Sequence, residues 1–153
     1  MREDYAWSML EKEIKDSAQS LEYEIQTLMT SRGETPFLTL GIDVIDPNAN
    51  HETIRIQKTI TKAILKQRLD GLTNGVTPVF PKLVYQLEKG NNLEKQDPFY
   101  DLFKLSAKVS AYRQYPDYTM TDRLIEVTGS YKEPMGKHYC SYKTFLIAGK
   151  LSH

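Results

Sequence analysis

A single cysteine, Cys140, in a chain of 153 residues excludes an internal disulfide, and with only three histidines beside it no repeated metal-ligand spacing arises. Net charge is missing as well. Twenty basic residues balance twenty acidic ones, so no global field draws the protein onto nucleic acid or an anionic membrane, and direct contact with either is not expected. No apolar run approaches the ~20 residues of a membrane span. The start of the chain, "MREDYAWSMLEKEIKD", is amphipathic and rich in acid, unlike a signal or transit peptide. These absences leave one soluble, cytoplasmic domain whose composition, 40% hydrophobic and 26% charged, suits a modest core.

What is present begins with helical periodicity. Trp7, Leu10, Ile14, Ala18, Leu21, Ile25 and Leu28 recur at spacings of three and four, with Glu11, Glu13, Lys15, Asp16 and Glu24 mostly off that stripe, which predicts a helix from about 4 to 31. Such a stripe packs against its own domain or forms a dimer seam. "PFLTLGI" after it reads as a buried strand closed by "DPNAN". "HETIRIQKTITKAILKQRLDGL" predicts a second helix with Asn50 as cap and Gly71 at its end. "VFPKLVYQL" reads as another strand, and "KGNNLEKQDP" as a polar loop whose Asp97-Pro98 pair caps and opens a third helix, "FYDLFKLSAKVSAYRQY", stopped by Pro116. Phe99, Leu102, Phe103, Ser106 and Val109 form its expected apolar face.

The order helix, strand, helix, strand, helix predicts an α/β fold with right-handed crossovers and a parallel pair of strands. Two strands do not make a parallel sheet. A parallel sheet needs several strands with both faces covered, so the chain reads as a slice of a larger α/β structure, without repeats or internal linkers.

Candidate chemistry is sparse. His138 lies two residues from Cys140, and a thiolate–imidazolium pair would make a nucleophile, but no orienting acid or oxyanion hole is marked. "GLTNGVTP" is neither of the glycine patterns that cradle phosphate. "KHYCSYK" alternates basic and aromatic residues over seven positions only, and His51 and His153 are isolated. Composition changes once: after Gly136 the tail carries three lysines and no acid, whereas residues 1–136 carry 17 basic and 20 acidic residues.

Longer stretches carry a resemblance. "QSLEYEIQTLMTSRGETPFLTLG", "IQKTITKAILKQRLDGL", "TPVFPKLVYQLEKGNNLEKQDPFYDLFKLSAKVSAYRQYPD" and "LIEVTGSYKEPMG" resemble, in order and at similar spacing, the anaerobic (class III) ribonucleoside-triphosphate reductases, a glycyl-radical enzyme family. The resemblance implies a partial slice of a ten-stranded α/β barrel over residues 1–136 and a divergent tail over 137–153. It also implies a chemistry. In the family a glycyl radical oxidises a cysteine on a loop inside the barrel, and the thiyl radical formed takes the 3′ hydrogen of a ribonucleotide on the way to deoxyribonucleotides for DNA synthesis. The dry interior protects the radical.

The family's loop pattern reads P-M-G-C-R-S-F-L. Pro134, Met135 and Gly136 match it, Lys137 stands where cysteine should follow, and Cys140 comes three residues late. Either an insertion has displaced the catalytic cysteine to Cys140, or the tail derives from other sequence, and the shift in charge favours the latter. The family's second active-site cysteine, downstream half-barrel, zinc module and glycyl-radical motif are not recognised in the chain. By itself it is therefore expected to be inactive, with no cofactor of its own. For the complete enzyme the resemblance implies a radical-generating activase with S-adenosylmethionine and an iron–sulfur cluster, formate or a thiol system as reductant, and ribonucleoside triphosphates as substrates. The expected partners of the chain are the remainder of the reductase and a second copy, in a bacterial or phage-infected cytoplasm. A non-catalytic dimerisation or effector-nucleotide-binding module is the alternative.

Overall fold

In the computed structural model, residues 2–28, 33, 37–72 and 75–128 are described. Four helices and three strands follow one another as α1 (Arg2–Thr27), β1 (Thr39–Ile42), α2 (His51–Asp70), β2 (Lys82–Leu87), α3 (Tyr100–Arg113), β3 (Asp117–Met120) and α4 (Thr121–Thr128). The strands form one parallel sheet in the order β1-β2-β3. The α/β reading holds, with one strand more than expected. β3 escapes a search for apolar runs because "DYTM" has two exposed and two half-buried residues and lies directly after α3 and Pro116.

Register fixes the two faces of the sheet. Leu40 pairs with Leu83, Ile42 with Tyr85 and then Tyr118, and Leu87 with Met120. Leu40, Ile42, Leu83, Tyr85 and Leu87 join Ile64 and Leu65 of α2 and Leu102 and Val109 of α3 in a single core, against which Ala18 of α1 also packs. All three long helices therefore cover the same face. Strand order without reversal and crossovers on one side make a singly wound wall, the opposite of the doubly wound arrangement.

The helices form where local chemistry directs. Asn50 Oδ1 accepts the Thr53 backbone N–H at 2.7 Å, the expected cap of α2. At the other end, Gly71 sits at φ 77°, and a Cβ there would meet the Val76 carbonyl oxygen at 2.7 Å, so only glycine closes this turn without displacing the backbone. α1 ends at Thr27 rather than near 31, and residues 29–32 lie outside those described. Its stripe faces α2: Ile25 is buried, while Trp7, Leu10, Ile14 and Leu21 are half-buried. Arg55 of α2 lies 3.8 Å over the Trp7 ring and reaches Glu11 at 4.0 Å.

The start of α3 corrects the expectation. Asp97 does not cap it; its carboxylate accepts the backbone N–H groups of Leu93 and Glu94 at 3.0 and 2.7 Å, so the aspartate folds the loop and the helix opens after Phe99 with no side-chain cap. The expected face of α3 is otherwise present, with Leu102, Ser106, Val109 and Phe99 buried. The helix stops at Arg113, where Gln114 turns left-handed at φ 66° two residues before Pro116.

Two arginines bind the layers together. Arg68, 1% exposed, meets Glu22 of α1, 5% exposed, at 3.0 Å and donates to the carbonyls of Pro78 and Pro81 at 2.9 and 2.7 Å. Arg113 donates to the carbonyls of Leu69, Asp70 and Gly75 and to Thr77 Oγ1. The segment that leads into β2 is thus clamped from α2 and from α3.

Candidate functional site

The face of the sheet turned away from α1, α2 and α3 has a different character. By alternation it carries Thr39 and Gly41 of β1, Lys82, Val84 and Gln86 of β2, and Asp117 and Thr119 of β3. Apart from Lys82 and Asp117 at the amino-terminal end, these residues are small or neutral. A core-forming sheet face would be apolar, so this one is built to meet something polar. Along β2 it closes progressively: Lys82 is exposed, Val84 half-buried, and Gln86 only 4% exposed.

Parallel α/β structures bind ligands at the carboxyl ends of their strands, where the connecting loops converge. Here one side-chain amide ties the loop after β2 to the loop after β1, and a second folds the β2 loop back on its own strand. Asn91 Nδ2 donates to the Ile45 carbonyl at 2.8 Å, and Asn92 takes the Glu88 N–H at 3.0 Å on its Oδ1 while its Nδ2 reaches the Gln86 carbonyl at 3.0 Å and the Tyr85 hydroxyl at 3.3 Å. Burial pushes the Tyr85 phenol up to about 12, against the lowering effect of its bond to Asn92. Tyr85 is a fixed neutral hydroxyl.

Carboxylates ring the same end. Burial raises Asp43 above the usual carboxylate range although the Val44 N–H donates to it at 2.8 Å. Glu88 is raised by burial and then by the like charges of Asp122 and Asp43. Among the described residues, no group of three or more histidine, cysteine, aspartate or glutamate side chains is arranged to hold a metal ion. Three buried acceptor oxygens at this end, Gln86 Oε1, Asn91 Oδ1 and Thr121 Oγ1, have no hydrogen-bond partner among the described residues. The described residues thus offer neutral hydrogen-bonding groups on a rigid wall.

Pro134, Met135, Gly136 and Cys140, the residues that the resemblance points to, and His138 beside Cys140 lie outside the described residues. His51 is the first residue of α2, remote in role from any cluster of ligands. Gln86, Asn91, Asn92 and the Glu22–Arg68 pair went unnoticed in the sequence. Weak signals existed: a glutamine inside the apolar run "LVYQL", a pair of asparagines just past the Glu88-Lys89-Gly90 that follows it, and an arginine continuing the Ile60, Ile64 row of α2.

The fold and this face define a class, the parallel α/β proteins in which a sheet wound in one direction carries its long helices on one face and a largely uncharged surface on the other. The sequence profile of the anaerobic ribonucleoside-triphosphate reductases matches residues 1–145, and the chain belongs to that family. Reductases of that name from Haemophilus influenzae and Escherichia coli K12 are 47% and 43% identical to it over 135 residues, which is 88% of this chain and 18% of each relative. The enzyme of the same name from phage T4 is 41% identical over 128 residues, 83% of this chain and 20% of that protein. The chain therefore spans about a fifth of the length of the relatives it matches.

Proposed function

We propose that this chain is one segment of the wall of an anaerobic ribonucleoside-triphosphate reductase, three strands of the family's ten-stranded α/β barrel, and that it contributes to reduction of ribonucleoside triphosphates only in company with the remaining segments. One observation carries the reading: a consecutive, singly wound parallel sheet whose three long helices all lie on one face and whose other face is largely small or uncharged. An open wall of this kind has bare strand edges on both sides, and closure with further strands removes them. Family membership over residues 1–145 supports the same reading.

The chemistry proposed for the complete assembly is that of the family: a glycyl radical, generated by an S-adenosylmethionine-dependent iron–sulfur activase, would supply the oxidising equivalent for the active-site cysteine, which in the family comes directly after the stretch that Pro134, Met135 and Gly136 match. This chain supplies the wall against which the nucleotide lies, and by itself it forms no deoxyribonucleotide. The test adds the polypeptide comprising the rest of the Haemophilus influenzae relative, with activase, S-adenosylmethionine and formate. Deoxyribonucleotide should appear with both parts and with neither alone; product from this chain alone refutes the reading.

A second reading, a dimerisation module, is favoured by one feature. An open groove of about 290 Å³ runs between α1 and α2, lined by Leu10, Ile14, Ala18, Leu21, Ile60 and Ile64. A second copy of α1 would fill it.

A further inference from the structure

Gln86 combines three properties that a purely structural residue has no reason to share. It lies on the polar face of the sheet, at the end of β2 where parallel α/β structures take their ligands. It is 4% exposed. Its amide oxygen nevertheless has no hydrogen-bond partner among the described residues, although a buried acceptor left unpaired is costly and the adjacent Asn92 satisfies only the main-chain carbonyl of the same residue. Leucine or valine in its place would complete an apolar end of the strand without that cost.

Resting on the reductase reading, we infer that Gln86 is a substrate-positioning residue: its amide oxygen accepts a hydrogen bond from the nucleoside part of the ribonucleotide. The choice of the nucleoside over the triphosphate follows from charge. Around Gln86 the face offers Gly41, Val84 and Thr119, and the cation of that face, Lys82, lies at the far end of β2. Toward the carboxyl end stand Asp43, Glu88 and Asp122, close enough that Glu88 feels the other two, and such a rim repels a polyphosphate. A ribose hydroxyl or a base amine brings the donor that the amide oxygen lacks and no charge.

The test has two arms. In the first, the isolated chain carrying Gln86→Leu is melted beside wild type. Removing an orphaned acceptor should leave the melting temperature unchanged or raised; a fall of several degrees would make the amide a structural group and overturn the inference. In the second, the two-part reductase is assembled with wild type, Gln86→Leu or Gln86→Glu. With wild type, product must form, and its absence sinks the reductase reading and the inference with it. With an active wild type, Gln86→Leu should raise KM about tenfold, the size of one lost hydrogen bond, with little change in kcat. Gln86→Glu, which keeps an acceptor oxygen, should recover part of that loss. Unchanged KM in the leucine variant overturns the inference alone. A rise equal for all four ribonucleotides assigns the donor to the ribose, and a rise confined to some assigns it to the base.

Discussion

Glu22 and Arg68 form a buried ion pair that the structure predicts to be strongly non-additive on mutation. The guanidinium makes three polar contacts, to Glu22 Oε1 at 3.0 Å and to the carbonyls of Pro78 and Pro81, and lies over the Tyr115 ring. Burial pushes the Glu22 carboxyl up and the Arg68 guanidinium down, each opposed by the charge of the other. Glu22→Gln keeps the shape and leaves Arg68 with its two carbonyls, so it should cost about 1–3 kcal/mol. Arg68→Met strands a carboxylate and two carbonyls at once. Breaking a buried pair costs about 3–5 kcal/mol, and each orphaned acceptor adds about 1–3 kcal/mol, a sum comparable to the ~5–15 kcal/mol that holds a domain together. The double variant, Glu22→Gln with Arg68→Met, buries no unpaired charge and should be more stable than the sum of the single changes by about 2 kcal/mol. Urea unfolding at pH 7 followed by circular dichroism measures all four proteins. Should Arg68→Met prove too unstable to titrate, the comparison still stands, because the double variant must then fold where the single one does not. Additivity within about 0.5 kcal/mol would refute the reasoning and leave the Glu22–Arg68 pair without a coupled part in holding α1 to α2.

Three further outcomes are expected. If the tail after Gly136 comes from other sequence, Cys140→Ser will not alter turnover of the two-part reductase, whereas loss of turnover with nucleotide binding intact would make Cys140 the radical carrier. Ile25 is buried within its own chain and so cannot report on a seam between copies; Leu10→Asp with Ser17→Asp, on the open groove, should instead convert a concentration-dependent dimer to monomer in sedimentation while helical circular dichroism persists. A wild-type chain that sediments as a monomer at every concentration rejects the dimer reading. Glu88→Gln should stabilise the chain at neutral pH, because a carboxyl whose folded pKa is raised costs stability when ionised; the gain should shrink as pH falls through that raised pKa and vanish below the unfolded value of about 4.3.

Helix boundaries set by a side chain or a glycine were legible in the sequence, since Asn50 and Gly71 act through their own backbone neighbours. Asp97-Pro98 misled because the same carboxylate can fold a loop or cap a helix, and only the positions of the Leu93 and Glu94 N–H groups decide between them. β3 was illegible for another reason: four residues without an apolar run become a strand because β2 offers a free parallel edge. Of the candidate site, the loop residues came from resemblance and Gln86 from neither pattern nor spacing. A polar residue inside an apolar run is only a weak signal until the register shows which face it occupies.

The strand order has a consequence for how the chain is made. Because each strand pairs with its neighbour in sequence, no contact in the sheet waits for a segment synthesised much later. β1, α2 and β2 can close into a unit while α3 is still inside the ribosome, and β3 then adds to an edge already in place. Each parallel pairing must still close a crossover that holds a whole helix, the slow step of such sheets, but none waits beyond the next strand. Growth also has a direction: the edge of β3 exposed on completion is the one that the next strand of a continuing polypeptide would meet first.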